Sequence, residues 1–458
     1  MSGSTPPAPG PPREFSMPDI VCDRLETGLD LRIIEQTGSP LVSAELVLDA
    51  GEGGLSGDRA GLSVLSAAAL DGGTRSRSGS EMARALEQLG SGVAASAGWD
   101  DLTLSFSALP DRFEDVLGLL AERIREPSFP ESELARVRDQ RLAAIEQWQS
   151  DPSALASIAM MGEIFHGDVP YARPLAGTQD TVSTFGVAEV RGHADSQFQP
   201  EKGGIAVVGP LSAERISTSV KAVLGDWVGA PARDSRVRSA PRYSGQGVLI
   251  LDRPGSVQSE IRLGHIGIAR DSSDYFPLRV FNAVLGGTFT SRLNLNLRER
   301  NGFTYGVRSS FRARLGSGPF TVSTGVGTDS TVAAVRETVH EIRCLLQDGP
   351  TEDETSAVKE FMVGVFPLMM ETSSQLAARL GELFPYRLPD DYHATWRDQI
   401  SAITPLDALE AGRRNLRPEQ LRVVVVGDAS NIRNGLEGLD FGPVEVISAA
   451  EWAGSVGR

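Results

Sequence analysis

Cysteine is nearly missing from this chain. Cys22 and Cys344 are its only two, too few for a disulfide framework and too isolated for a metal-binding cluster. Lysine is as scarce, confined to Lys202, Lys221 and Lys359, so arginine supplies the other positive charges. No basic block offsets the formal charge of −16, an excess that repels phosphates and opposes generic nucleic-acid binding. Nor does any apolar run approach the roughly 18 residues a membrane helix needs. The richest, residues 361–370, is broken by Pro367. The opening MSGSTPPAPGPPREFS lacks the basic and apolar regions of a secretory signal, and its proline and glycine content predicts a disordered lead-in over residues 1–18. The expected compartment is the cytoplasm.

Catalytic motifs are also sparse. Neither a G-x-S-x-G elbow nor a G-x-x-x-x-G-K-[ST] loop occurs, which leaves serine-hydrolase and phosphate-loop chemistry without their residues. Gly286-Gly287-Thr288 could cradle a phosphate in isolation, but that signal is weak. His166, His193, His265, His340 and His393 are scattered, with no pair at helical ligand spacing, and each reads as a surface or core side chain.

What is present is a soluble-protein composition, 40% hydrophobic and 23% charged, spread over 458 residues, too many for one ordinary core. Period-two alternation predicts strands at 28–35, 42–49 and 102–109, and a short apolar strand at 205–208. Helical spacing predicts helices at 61–70, 80–89, 111–125 and 131–149. A Pro-, Arg- and Ser-rich stretch near 231–247 reads as a linker between an N-terminal domain, 19–230, and a C-terminal domain, 248–458. The second half repeats the order, with strands near 248–251, 260–267 and 318–324 and a helix at 276–285. Residues 182–212 lie over 400–430 without a gap at an offset of 218, and the amphipathic stretches 111–125 and 329–343 share that offset. Agreement of order, offset and element type weighs against chance. It predicts two copies of one α+β domain rather than a solenoid.

The stretch LGGTFTSRLNLNLRERNGFTYGVRSSFRAR, residues 285–314, holds the one polar pair that asks for more than a structural reason. Residues 291–300 read as a helix capped by Ser291 and ended by Asn301-Gly302, and 303–311 as a strand with Phe303, Tyr305, Val307, Ser309 and Phe311 on one face. One tight corner then folds Arg298 towards Tyr305. On spacing alone, Arg298 could instead serve helix C-terminal carbonyls and Tyr305 could be a core aromatic with its hydroxyl at the rim.

This stretch resembles the C-terminal domain of the pitrilysin/insulinase family of zinc peptidases. The shared elements are Gly286, Gly287, Ser291, Arg292 and Leu293, then Leu297, Arg298 and Glu299, then Gly302 and Tyr305. The resemblance implies two related domains, each a mostly antiparallel sheet with helices on one side. It also implies that Arg298 and Tyr305 hold a substrate backbone beside a zinc carried elsewhere, with Gly286 and Gly287 letting that backbone approach.

Active members carry two histidine ligands at i, i+4 and a glutamate base on one helix. The matching segment here is GLSVLSAAALDGGT, residues 61–74, with Val64 and Ala68 at the ligand positions and Ala67 at the base position. Methyl and isopropyl groups donate no lone pair, so this face cannot hold a metal or activate its water. Glu146 stands near the family's third ligand, but one carboxylate does not make a zinc site, and a solvated glutamate is the plainer reading. The resemblance therefore implies a chain that binds no cofactor itself and acts as the non-catalytic subunit of a two-subunit zinc peptidase. Its partner would be a similar-sized catalytic subunit holding the zinc, and peptides would be the substrates. Two other readings stay open: a structural or peptide-binding pseudo-peptidase with no chemistry, and a chaperone-like chamber.

Overall fold

The computed structural model describes residues 15–229, 237 and 239–456. The expected lead-in up to residue 14 and the linker residues 231–236 and 238 lie outside them. Residues 15–18 do not behave as a disordered lead-in: Phe15 meets Phe366 edge-on at 6.1 Å, and Met17 packs on the same core.

In the N-terminal half, strands β1 (Val21–Arg24), β2 (Asp30–Glu35), β3 (Val42–Leu48), β4 (Ala94–Ala97), β5 (Leu102–Ala108) and β6 (Gly204–Gly209) form a sheet in the order β1-β2-β6-β3-β5-β4. In the C-terminal half, β7 (Gly247–Asp252), β8 (Gln258–Ile266), β9 (Val307–Phe311), β10 (Pro319–Gly327), β11 (Arg422–Gly427) and β12 (Val444–Ser448) follow the order β12-β7-β11-β8-β10-β9. Both sheets are mostly antiparallel, broken by the parallel pairs β2 with β6, β7 with β11 and β7 with β12. Duplication is visible in the register: Ala44 faces Val207 in the first sheet as Ile261 faces Val425 in the second. The helices Val187–Gln197 and Pro405–Asn415, and the strands β6 and β11, are each displaced by 218 residues. The copies differ at one edge, where β1 precedes β2 and runs antiparallel to it, whereas β12 arrives from the end of the chain and runs parallel to β7.

Alternation explains the layers. Leu102, Leu104 and Phe106 of β5 turn inward under helices that include Phe113–Arg125, while Thr103, Ser105 and Ser107 take the opposite face. Each half's sheet thus carries helices on one side as expected, and its opposite face is covered by a helix lent from the other half. Helix Pro152–Ile164 crosses to the second sheet, where Leu155, Ala156, Ala159 and Met160 pack with Leu249, Leu251, Val424 and Val426. Helix Ser373–Gly381 makes the reciprocal move, setting Leu376, Ala377 and Leu380 against Ile34, Val47, Ala206 and Val208. Each buried Leu or Met in such a layer contributes about 1.5–3 kcal/mol, so the exchange welds the halves together. Polar locks add to it. Asp100 accepts from Tyr386 Oη at 3.0 Å and from the Leu315 amide at 3.2 Å.

Two expected elements of the C-terminal half come out differently. The helix predicted over 276–285 is α-helical for Tyr275–Asn282 and then widens into a π turn, Ala283–Gly287. Residues 291–300 likewise form α-helix only over Arg292–Asn294 before a π turn, Leu295–Arg300, and Ser291 makes no side-chain cap but accepts from Asn294 Nδ2 at 3.1 Å. The strand starts at Val307 rather than Phe303. Gly302 turns the chain at φ +65°, and Thr304 Oγ1 folds back on Gly306, donating to its carbonyl at 2.9 Å and accepting from its amide at 3.1 Å.

Candidate functional site

The motif helix of the N-terminal half, Leu62–Ala69, is anchored at its start by Glu52, whose carboxylate accepts from the amides of Gly61, Ser63 and Val64 at 3.1, 2.8 and 3.3 Å. Burial pushes the Glu52 carboxyl up to about 7 against those bonds and the Arg173 guanidinium 4.0 Å away. Ser63 Oγ lies 3.1 Å from His193 Nε2, and burial holds that imidazole neutral, down to about 4. Val64 and Ala68 are the half-exposed positions of the helix and Ala67 is buried. The face that would present ligands is therefore intact in shape and aliphatic in substance. The helix packs on Glu131–Ser150, along which Glu146 is exposed to solvent. Among the described residues no group of three or more His, Cys, Asp or Glu side chains is placed to hold a metal ion.

In the C-terminal half the two π turns lead into the Arg298–Tyr305 corner, the second of them carrying Arg298. Buried Asn294 holds them to the sheet: its Nδ2 donates to the carbonyls of Thr288 and Val307 at 3.1 and 2.9 Å, and its Oδ1 accepts from the Val307 amide at 3.1 Å. Asn282 Nδ2 donates to the Ser309 carbonyl at 3.0 Å. These two amides occupy outward-facing backbone groups of the edge strand β9, as a further strand would. Gly286 is buried here, and a Cβ at that position would come within 2.6 Å of Ser309 Oγ. Its lack of a side chain answers to packing on β9. Gly287, by contrast, is exposed and lines a groove of about 480 Å³ with Thr288, Arg308, Ser310, Phe361 and Trp396.

Arg298 sits in the second π turn, half-buried, its guanidinium 4.2 Å from the centre of the Phe289 ring and its Nε 3.5 Å from Glu299 Oε1. Tyr305 is 98% exposed. The core-aromatic reading of Tyr305 is thus overturned, because the Thr304–Gly306 turn lifts it off the sheet before β9 begins. Phe289, itself 68% exposed, is the member of this cluster that sequence reasoning missed, although it stands within the stretch that carried the resemblance. Another missed relation is internal. Gly72-Gly73-Thr74 follows the motif helix as Gly286-Gly287-Thr288 follows helix Tyr275–Asn282, but the turns differ, Gly73 taking φ +114° after a tight turn where Gly286 and Gly287 close a π turn.

A duplicated α+β chain with a zinc-peptidase frame and an aliphatic face at the ligand positions has the build of a peptidase fold that has lost its metal ligands. The chain belongs to peptidase family M16, the insulinase family. The profile "Insulinase (Peptidase family M16)" matches residues 33–179, and "Peptidase M16 inactive domain" matches residues 184–362. The chain is 26% identical over 349 residues to the "Non-peptidase homolog YmxG" of Helicobacter pylori, covering 75% of this chain and 79% of that one. It is 24% identical over 311 residues to the "Uncharacterized zinc protease YmxG" of Bacillus subtilis, covering 68% and 74%. The crystal structure of a peptidase M16 inactive domain from Pseudomonas fluorescens superposes with a TM-score of 0.84 at 25% identity, covering 90% of this chain and 98% of that one. A protease from Helicobacter pylori shares the fold, with a TM-score of 0.82 at 15% identity over 90% of this chain and 100% of that one. Within this family the chain is a pseudo-peptidase by composition: the residues at its ligand and base positions have no lone pairs to offer.

Proposed function

We propose that this chain is the substrate-binding, non-catalytic subunit of a heteromeric zinc peptidase, supplying Arg298 and Tyr305 to the zinc site of a catalytic partner of similar size. The single observation that carries this reading is the posture of the pair. Tyr305 stands fully in solvent and Arg298 is braced on an exposed phenylalanine, in a chain whose own motif face is aliphatic. An exposed aromatic cluster of this kind suits insertion into a partner, because Tyr, Phe and Arg are favoured interface anchors. The Helicobacter relative, a non-peptidase homolog, supports the inactive half of the proposal.

In amide hydrolysis negative charge builds on the scissile oxygen, and a donor fixed opposite the metal stabilises it. Tyr305 donates its hydroxyl to that oxygen. Arg298 donates to a neighbouring backbone carbonyl of the extended peptide, with Phe289 holding its plane. Gly287 borders the groove along which such a peptide lies, and Gly286 keeps the turn tight beneath it. The partner holds the zinc and supplies the attacking water; this chain orients the peptide and the oxyanion.

The competing reading, a scaffold or peptide-binding pseudo-peptidase, makes the pair dispensable for turnover. Co-purification with a chain carrying H-x-x-E-H, metal analysis of each subunit and peptide hydrolysis by each alone and mixed separate the two. Hydrolysis that appears only on mixing supports the proposal. Stoichiometric zinc on the isolated chain, or full activity of the partner alone, overturns it.

A further inference from the structure

A second cleft, of about 350 Å³, opens where the two halves meet, and its walls carry opposite charge. Glu45 of β3 and Asp101 at the start of β5 stand on the N-terminal side, and Arg270, Arg279 and Arg312 on the C-terminal side. Arg379, also at the cleft, is already satisfied by Glu382 Oε1 at 2.5 Å. The other three arginines form no ion pair with a described carboxylate. Arg270 instead lies against phenol rings, 3.8 Å from the centre of Tyr275, 4.8 Å from Tyr392 and 5.6 Å from Tyr386. Arg279 Nη1 donates to Tyr275 Oη at 2.9 Å. A guanidinium stacked by its faces keeps its N–H rim for a planar anion.

The facing wall is incomplete in the complementary way. The Glu45 carboxylate has no hydrogen-bond or ion-pair partner among the described residues, and burial lifts it to about 7. Asp101 is raised to about 6 by burial and by neighbouring Asp100, Asp49 and Glu382. Guanidiniums without a carboxylate thus face carboxyls that burial leaves partly protonated, and an occupant bearing both signs would supply the missing partner on each side.

We infer that this cleft binds a short zwitterionic peptide, its ammonium end on Glu45 and Asp101 and its carboxylate end on Arg270, Arg279 and Arg312. The volume lies at the small end of ligand pockets, of the order that suits a di- or tripeptide. Phe311 and Tyr386 border the same space and offer apolar contact to its side chains. The inference does not rest on the roles given to Arg298 and Tyr305, because it concerns the purified chain alone.

Calorimetric titration with trialanine tests it, beside its N-acetylated form, its C-terminal amide, the doubly capped form and inorganic phosphate. Trialanine is expected to bind one per chain, and capping either end is expected to weaken binding at least ten-fold. Arg312→Ala, at an exposed position, should remove the preference for a free carboxylate, and Glu45→Gln the preference for a free ammonium, with melting temperatures showing that both variants remain folded. Equal binding of free and doubly capped peptides overturns the inference. So does the absence of trialanine binding at millimolar concentration, or phosphate binding as tightly as the peptide.

Discussion

The Arg298 guanidinium lies 4.2 Å from the centre of the Phe289 ring, seven residues before a tyrosine that touches almost nothing. An exposed cation–π contact is worth about 0.5–1 kcal/mol, roughly a two- to five-fold effect on binding. Phe289→Ala is therefore expected to raise the KM of the assembled peptidase by about that factor, with kcat changed less. Its effect on stability should stay within about 0.5 kcal/mol because the ring is exposed. Steady-state kinetics beside thermal melting checks this, and a loss of stability with unchanged KM contradicts the bracing role.

Across the halves, Arg422 of β11 donates from Nη2 and Nε to Glu163 Oε2 at 2.6 and 3.0 Å, with both side chains buried. Glu163→Ala strands a buried guanidinium and is expected to cost about 3–5 kcal/mol in urea denaturation. Because helices are exchanged between the halves, the unfolding transition should remain single in both proteins. Two separate transitions in the parent protein would mean that the halves are not welded.

Glu45 gives a pH signature. Its carboxyl titrates near 4.5 ordinarily and near 7 when folded, so between those values the folded state holds the extra proton. Stability from this group is fully present below about pH 4.5 and is lost as pH rises towards 7, by at most about 1.4 kcal/mol per pH unit for one proton. Asp101 adds a decline of the same sign between its ordinary 3.8 and about 6. Glu45→Gln should flatten the fall in urea midpoint between pH 5 and 7, and an unchanged slope would contradict the assignment.

Much of this was legible in the sequence because it rests on local pattern. The 218-residue offset exposed the duplication, and the frame around Val64, Ala67 and Ala68 showed which lone pairs were gone. The strand expected from Phe303 begins only at Val307 because the alternation of Phe303, Tyr305 and Val307 continues through a turn made by Gly302 and Thr304, and side-chain period alone cannot register a backbone that leaves the sheet. The π turns were hidden for a similar reason, since one extra residue per turn leaves the apolar faces of Leu293 and Leu297 unchanged. Leu155 and Leu376 announce buried helices, but nothing local says that each covers the other half's sheet. The acid and base walls of the second cleft come from segments far apart in the chain and become visible only once folded.

The division of labour between this chain and a metal-bearing partner is tested most directly by the turnover of the assembled peptidase carrying Tyr305→Phe. The account predicts a kcat lower by about 10²-fold, the scale of losing one oxyanion donor, with assembly and melting temperature unchanged. An undiminished kcat in a correctly assembled complex would contradict it.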